Sequence, residues 1–208
     1  MCLQGVLEGK PVLIKKTGQV IEPKEGFNVI ATANLNSSSG LANSSSRGPA
    51  HDGRIKPDIG AKGSSVYSTQ ATNDYDIKSG TSMACPGIAG VMGQLYQAYK
   101  ELNGGINPPS ALMKATLLNT ADDLGNLGPD YKFGWGEVNA LRAVQILENQ
   151  DYNEDSISHL GNNTHDITIP VGTEQLKVMV YWHDKEASVS ASIALINNLD
   201  IILTSPNG

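Results

Sequence analysis

Ser79-Gly80-Thr81-Ser82-Met83-Ala84-Cys85-Pro86-Gly87-Ile88-Ala89-Gly90 crowds three small hydroxyl side chains and three glycines around the start of a long helical pattern. A serine at a helix tip sits where unpaired N–H groups and the helix dipole face outward. That field favours a nearby negative charge by a few tenths to about 1 kcal/mol. If the Ser82 hydroxyl attacked a carbonyl there, the resulting oxyanion would form in this field, and the backbone N–H of Ser82 could donate to it. Gly80 leaves room for a close approach, and Pro86 is expected in the first turn, where its missing N–H costs little. The commoner use of such residues is to cap a helix. The sequence on either side must decide between the two.

Upstream, Pro11–Ile14 and Asn28–Ala31 are short buried-strand candidates, separated by turns at Thr17-Gly18 and Glu25-Gly26. Residues 36–53 form a long polar loop rich in serine. From residue 82 to 148 the period is helical. Val91, Leu95, Ala98, Tyr99 and Leu102 share one face, and Gly104-Gly105 supplies a stop. Pro108-Pro109-Ser110 opens a second helix through about Asn119. Asn139–Glu148 reads as a third, with Leu141, Val144 and Leu147 inward. Beyond the acidic stretch Asp151–Asp155 the period becomes two. Ile167 and Ile169, then Leu176, Val178, Val180 and Trp182, then Leu199, Ile201 and Leu203 predict half-buried antiparallel sheet.

Composition narrows the class. With 208 residues, 39% of them apolar, the chain can bury one sizeable core, alone or with a small second module. A net charge of −6 with no basic stripe excludes nucleic acid as the main partner. No run of eighteen apolar residues occurs, so no membrane span is expected. The N-terminus lacks the plan of a signal peptide, and Cys2 and Cys85 give no disulfide framework.

Gly80-Thr81-Ser82-Met83-Ala84-x-Pro86 closely resembles the nucleophile motif of subtilisin-like serine proteases, the subtilases. The flanks carry further resemblances in the family's order: Ser45-Ser46-Arg47-Gly48-Pro49, Asp52 to Ile59, Val66 to Thr69, Leu118 to Ala121, and Phe133-Gly134-Trp135-Gly136-x-Val138-Asn139-Ala140. They cover about residues 28–148. The tail, from Lys177 to Asp184 and Asn197 to Asp200, resembles the start of a β-sandwich that follows the catalytic domain in some bacterial subtilases. The implied fold is α/β: a partial subtilisin-like doubly wound parallel sheet with helices over residues 36–150, then a partial antiparallel β-sandwich over residues 151–208. The implied activity is serine endopeptidase acting on polypeptide, secreted or held at the cell surface. Ser82 is its nucleophile, and the backbone of Gly80, Thr81 and Ser82 forms the substrate and oxyanion contacts. Thr81 and Met83 shape the site. No cofactor is required for the chemistry. Structural calcium often accompanies the family, and Asp184, Asn198 and Asp200 are the oxygen donors to consider. The same residues also read as solvated turn positions, which is the preferred reading.

The chain departs from the family pattern in several places. Gly87 stands where many subtilases have His, Ala61-Lys62-Gly63 where they have A-P-G, and Ser44 where a Phe is usual. The family triad runs Asp, His, Ser, and only the serine has a counterpart here. His51, His159, His165 and His183 lie outside the family's H-G-T context, and Asn34 stands nearer Ser82 than the family's oxyanion asparagine does. A serine without a base is a weak nucleophile, so the chain alone is expected to be inactive, its catalytic partners lying in a missing N-terminal part of the domain.

Residues 1–35 form a front segment of different character. The stretch from Leu3 through Asn34 resembles a piece of AAA+ ATPases, in which Asn34 would be the γ-phosphate sensor. No G-x-x-x-x-G-K-[ST] loop accompanies it, so nucleotide cannot be cradled in the usual way. A strand entering the subtilase sheet explains residues 28–33 equally well. The preferred account is a fragment or a junction of two genes. The competing functions are a non-catalytic interaction protein on a degenerate protease scaffold and, after it, an AAA+ motor fragment.

Overall fold

The computed structural model describes residues 28–71, 73–185, 187–188, 191–193 and 195–205. The expected strand at Pro11–Ile14 and most of the front segment lie outside them. At its centre, β1 (Thr32–Leu35) and β2 (Ile59–Lys62) pair in parallel, Thr32 opposite Ile59 and Leu35 opposite Lys62. All their residues except Thr32 and Lys62 are buried, as small and apolar residues in a parallel pair should be. Gly60 extends the pairing on its other side. Its N–H donates to the Gly136 carbonyl at 2.8 Å, and its carbonyl accepts from Val138 N–H at 2.9 Å. The expected strand at Asn28–Ala31 is displaced. Val29 and Ala31 are buried as foreseen, but the regular ladder starts at Thr32.

A separate antiparallel hairpin follows, β3 (Val66–Gln70) with β4 (Asp74–Lys78). Among the described residues three helices follow: α1 (Thr81–Leu102), α2 (Ser110–Asn119) and α3 (Ala140–Asn149). Ala84, Ile88, Leu95 and Tyr99 of α1 recur at helical spacing and form one buried face, packed with Ile59, Ala61, Leu112, Leu117, Ala143 and Leu147 in a single core. Leu102 and Leu141, expected inward, are 48% and 69% exposed. Leu102 closes the last turn of α1, beyond the packed face. On α3 it is Ala143 and Leu147 that meet the core, with Val144 partly buried against it. Asn139 caps α3, its Oδ1 accepting from Arg142 N–H at 3.0 Å.

A charged network lies buried beneath this core. Lys56 Nζ donates to Asp58 Oδ2 at 2.6 Å and to the Val29 carbonyl at 3.0 Å. Lys114 Nζ, from α2, reaches Asp58 Oδ1 at 3.1 Å and the same Val29 carbonyl at 3.0 Å. Two ammonium groups thus share one carboxylate, which also accepts from Ala31 N–H at 2.6 Å.

After residue 151 the structure differs from the sequence expectation. Among the described residues there, no strand and no helix forms. Ile167, Ile169, Ile201 and Leu203 are each about half exposed. A period-two segment becomes sheet only where a neighbouring strand takes its N–H and C=O groups, and no such partner lies among the described residues. Residues 177–184 instead lie along α2, running opposite to it. The Lys177 carbonyl accepts from Asn119 Nδ2 at 3.5 Å, and Lys177 Nζ donates to the Ala121 carbonyl at 3.2 Å. Tyr181 lies under Lys114 Nζ, 5.2 Å from its ring centre, and His183 Nδ1 meets Ser110 Oγ at 3.1 Å.

Candidate active site

The N-terminus of α1 is tied to the ends of β1 and β2 by successive backbone hydrogen bonds. Gly63 N–H donates to Leu35 O at 3.0 Å, Gly80 N–H donates to Gly63 O at 2.8 Å, and Gly80 O accepts from Met83 N–H at 2.9 Å and Ala84 N–H at 3.3 Å. Gly80 has φ 153° and ψ 167°, a conformation that L side chains rarely adopt, so glycine at this N-cap follows from the backbone itself. Ser65 N–H donates to Ser79 Oγ at 2.8 Å and fastens the base of the hairpin beside this turn.

This arrangement settles where each predicted residue stands. Thr81 is the first residue of α1 and is buried, and Ser82 follows it, half-buried. Met83 and Ala84 spend their N–H groups on Gly80 O. The Ser82 N–H, like its hydroxyl, makes no hydrogen bond among the described residues. Pro86 is not in the first turn as expected. It is the sixth residue of α1 and has no N–H to give the Ser82 carbonyl four positions back, so that carbonyl lacks its helical partner as well. Ser82 therefore presents a hydroxyl and a backbone N–H at the positive end of a 22-residue helix.

One neighbour of the helix tip is not foreseen from the sequence. Asn34, 1% exposed at the end of β1, lies behind the helix tip, with its own N–H donating to Ser45 Oγ at 3.0 Å. Its Oδ1 accepts from Ser64 Oγ at 3.2 Å, while Nδ2 is buried without a partner among the described residues. A Cβ built on Gly63 would lie 2.6 Å from Gly80 O, 2.7 Å from Ala84 N and 2.7 Å from Asn34 Oδ1. The three segments meet at Gly63. In the sequence, Ala61-Lys62-Gly63 stood out only as a departure from the family's A-P-G, which gave no sign of these contacts.

No described histidine makes a hydrogen bond with Ser82. His51 is exposed, His165 pairs with Asp155 at 3.5 Å, and His183 is held at α2, where burial and the nearby Lys114 charge lower its pKa. The oxygen donors considered for calcium do not assemble either. The Asp184 carboxylate accepts from Ile196 N–H at 2.5 Å, from Asn197 Nδ2 at 2.6 Å and from Lys185 N–H at 3.0 Å. Burial raises its pKa, but these donors together hold it below the usual carboxylate range. A carboxylate surrounded by N–H groups anchors a loop. Asn198 and Asp200 are exposed, and no cluster of three or more His, Cys, Asp or Glu forms among the described residues.

The chain is similar to known proteases in sequence and in shape. It is 35% identical to the C5a peptidase of Streptococcus pyogenes serotype M6 over 144 residues, 63% of this chain and 12% of that protein. It is 34% identical to the minor extracellular protease Vpr of Bacillus subtilis over 146 residues, 63% of this chain and 17% of that protein. The chain thus spans only a small part of these relatives. Among solved structures, the CspB protease of Clostridium perfringens superposes with a TM-score of 0.56 at 29% identity, over 62% of this chain and 28% of that one. The prenylagaramide maturation protease PagA shares the fold at a TM-score of 0.57, over 70% of this chain and 54% of that one. A profile of the subtilase family matches residues 11–136, which takes in much of the front segment. With that match covering more than half of its length, the chain belongs to the subtilase family.

Proposed function

We propose that this chain carries the nucleophile segment of an extracellular serine endopeptidase, with Ser82 as the attacking residue. One observation supports the reading above the rest: at the N-terminus of α1, Ser82 keeps both its hydroxyl and its N–H out of every hydrogen bond among the described residues. In the reaction, Ser82 Oγ attacks the carbonyl carbon of a peptide bond. The C=O electrons move onto oxygen, and that oxyanion lies where the Ser82 N–H and the helix field favour negative charge. The proton leaves Oγ for a base, then passes to the departing amine as the C–N bond breaks. Gly80 and Thr81 supply the backbone beside which the substrate lies. The missing N-terminal part of the catalytic domain is the partner that brings the base and its orienting carboxylate.

The 208-residue chain alone is accordingly inactive. Losing base and orienter together lowers turnover on the order of a million-fold. A fluorophosphonate probe tests both halves. On this chain, Ser82 should stay unlabelled over hours. In the product of a reading frame that includes the upstream D-[ST]-G and H-G-T motifs, Ser82 should label stoichiometrically, and Ser82→Ala should abolish both labelling and casein hydrolysis. Rapid labelling of the short chain overturns the inactivity. A frame without those motifs, and without labelling, leaves a non-catalytic interaction protein on a protease scaffold.

A further inference from the structure

The hairpin that leads into the helix tip turns its apolar face to solvent. The β3–β4 register sets Tyr67 opposite Ile77 and Thr69 opposite Tyr75, so these four side chains share one face. Tyr67, Tyr75 and Ile77 are 69%, 55% and 64% exposed, and the two tyrosine rings stack at 5.2 Å. A two-stranded ribbon is marginal in water by itself, and a bare aromatic face adds to that cost. Its charges are fixed as well. Tyr75 N–H donates to Asp74 Oδ1 and Ile77 N–H to Asp76 Oδ1, both at 2.8 Å, and both carboxylates are exposed. These N–H groups are not spent on β3, so the carboxylates that cap them lie along the edge of β4 that no strand among the described residues covers. Asp74 and Asp76 point the same way at a strand spacing of about 6.8 Å, the separation of residues i and i+2 in an extended chain.

We infer that this edge is an exosite for an extended polypeptide segment bearing lysine or arginine at alternate positions, with apolar residues between them. The cations meet Asp74 and Asp76, and the intervening side chains lie on the Tyr67–Tyr75–Ile77 face, where the stacked rings also attract a cation. Ile77 precedes Ser82 by five residues, within about 17 Å along the chain, so one extended polypeptide can reach both. That the segment belongs to a substrate rests on the peptidase reading; that it binds the hairpin does not.

Fluorescence anisotropy with a labelled peptide of alternating lysine and valine tests this on the full 208-residue chain carrying Ser82→Ala, with a glutamate–valine peptide as comparator. The lysine peptide should bind more tightly, and more so at low salt. Asp74→Asn with Asp76→Asn should weaken it about fivefold to tenfold and flatten the salt dependence, as the loss of two exposed ion pairs implies. Tyr67→Ala, which removes no charge, should weaken binding at every salt concentration without changing its slope. Equal affinity for the two peptides overturns the proposal. So does an unchanged affinity in both variants, or self-association of the chain that Tyr67→Ala abolishes, since a second copy would then cover the face. Failure of Ser82 to label in the longer protein would leave the binding result standing.

Discussion

At the scale of single residues, the site depends on a glycine as much as on the serine. Gly63 lies where β1, the turn at Gly80 and the first turn of α1 meet, and two of the three atoms its Cβ would strike are backbone. Gly63→Ala should therefore displace the Gly80 turn and destabilise the chain by about 1–3 kcal/mol, the usual cost of overpacking a closed contact. Urea denaturation reads the loss, and an unchanged midpoint would mean the turn yields without cost. The place of Ser82 at a helix start was legible in the sequence because its signal is local: small residues running into a helix pattern within one short stretch. Asn34 was not, because its place behind the helix tip exists only once β1 pairs with a strand far along the chain. The resemblance to a nucleotide sensor came from the stretch Leu3 through Asn34, whose last part serves equally well as a strand of the subtilase sheet.

Elements were legible where their period and their ends agreed. The second and third helices begin and end within a residue or two of expectation, because Pro109 and Asn139 mark their starts chemically. Asn139 does more than cap: its Oδ1 takes Arg142 N–H and its Nδ2 donates to Asp122 Oδ2 at 3.0 Å. Asn139→Ala should cost about 1 kcal/mol. Asn139→Asp keeps the cap acceptor but replaces the amide that donates to Asp122 with a second carboxylate, so it should recover only part of that loss at pH 7. Thermal unfolding of the two variants beside the parent chain distinguishes the two contributions. Full recovery by aspartate at pH 7 would show that the Asp122 contact is idle. The elements expected after residue 151 illustrate the opposite case. Alternation specifies which face a strand would bury, but the neighbour that makes it a strand is a property of the whole fold. The described residues 177–184 find a helix surface in its place.

For the whole molecule, the network around Asp58 joins the approach to β1, the strand β2, helix α2 and the segment that lies along it. None of this was legible, since Lys114 reads as a solvent-facing helix residue until α2 is packed, yet it is 4% exposed. Burial pushes the Lys56 ammonium down to about 8, against the pull of Asp58 and with the added repulsion of Lys114 and Arg54. Asp58 stays ionised: burial opposes its charge, but Lys114 and Lys56 together hold its pKa below the ordinary value. Tyr181 is pushed well above its ordinary value by burial and by the Asp58 charge. The signs follow from which state holds the proton. Between pH 8 and about 10 the unfolded chain keeps a Lys56 proton that the folded chain has released, so stability rises with pH, by on the order of 1–2 kcal/mol. Above pH 10 the unfolded chain loses the Tyr181 proton while the folded chain keeps it, and stability falls again. Urea midpoints measured from pH 7 to 11 should therefore pass through a maximum near pH 10. Lys56→Met removes the surplus cation but leaves Asp58 paired with Lys114, so it should fold at least as stably at pH 7 and lose the rise between pH 8 and 10. Asp58→Asn removes the carboxylate that both buried ammonium groups share and should cost about 3–5 kcal/mol at pH 7. A rise that persists in Lys56→Met would assign the titration to another group and separate the network from the pH dependence of the fold.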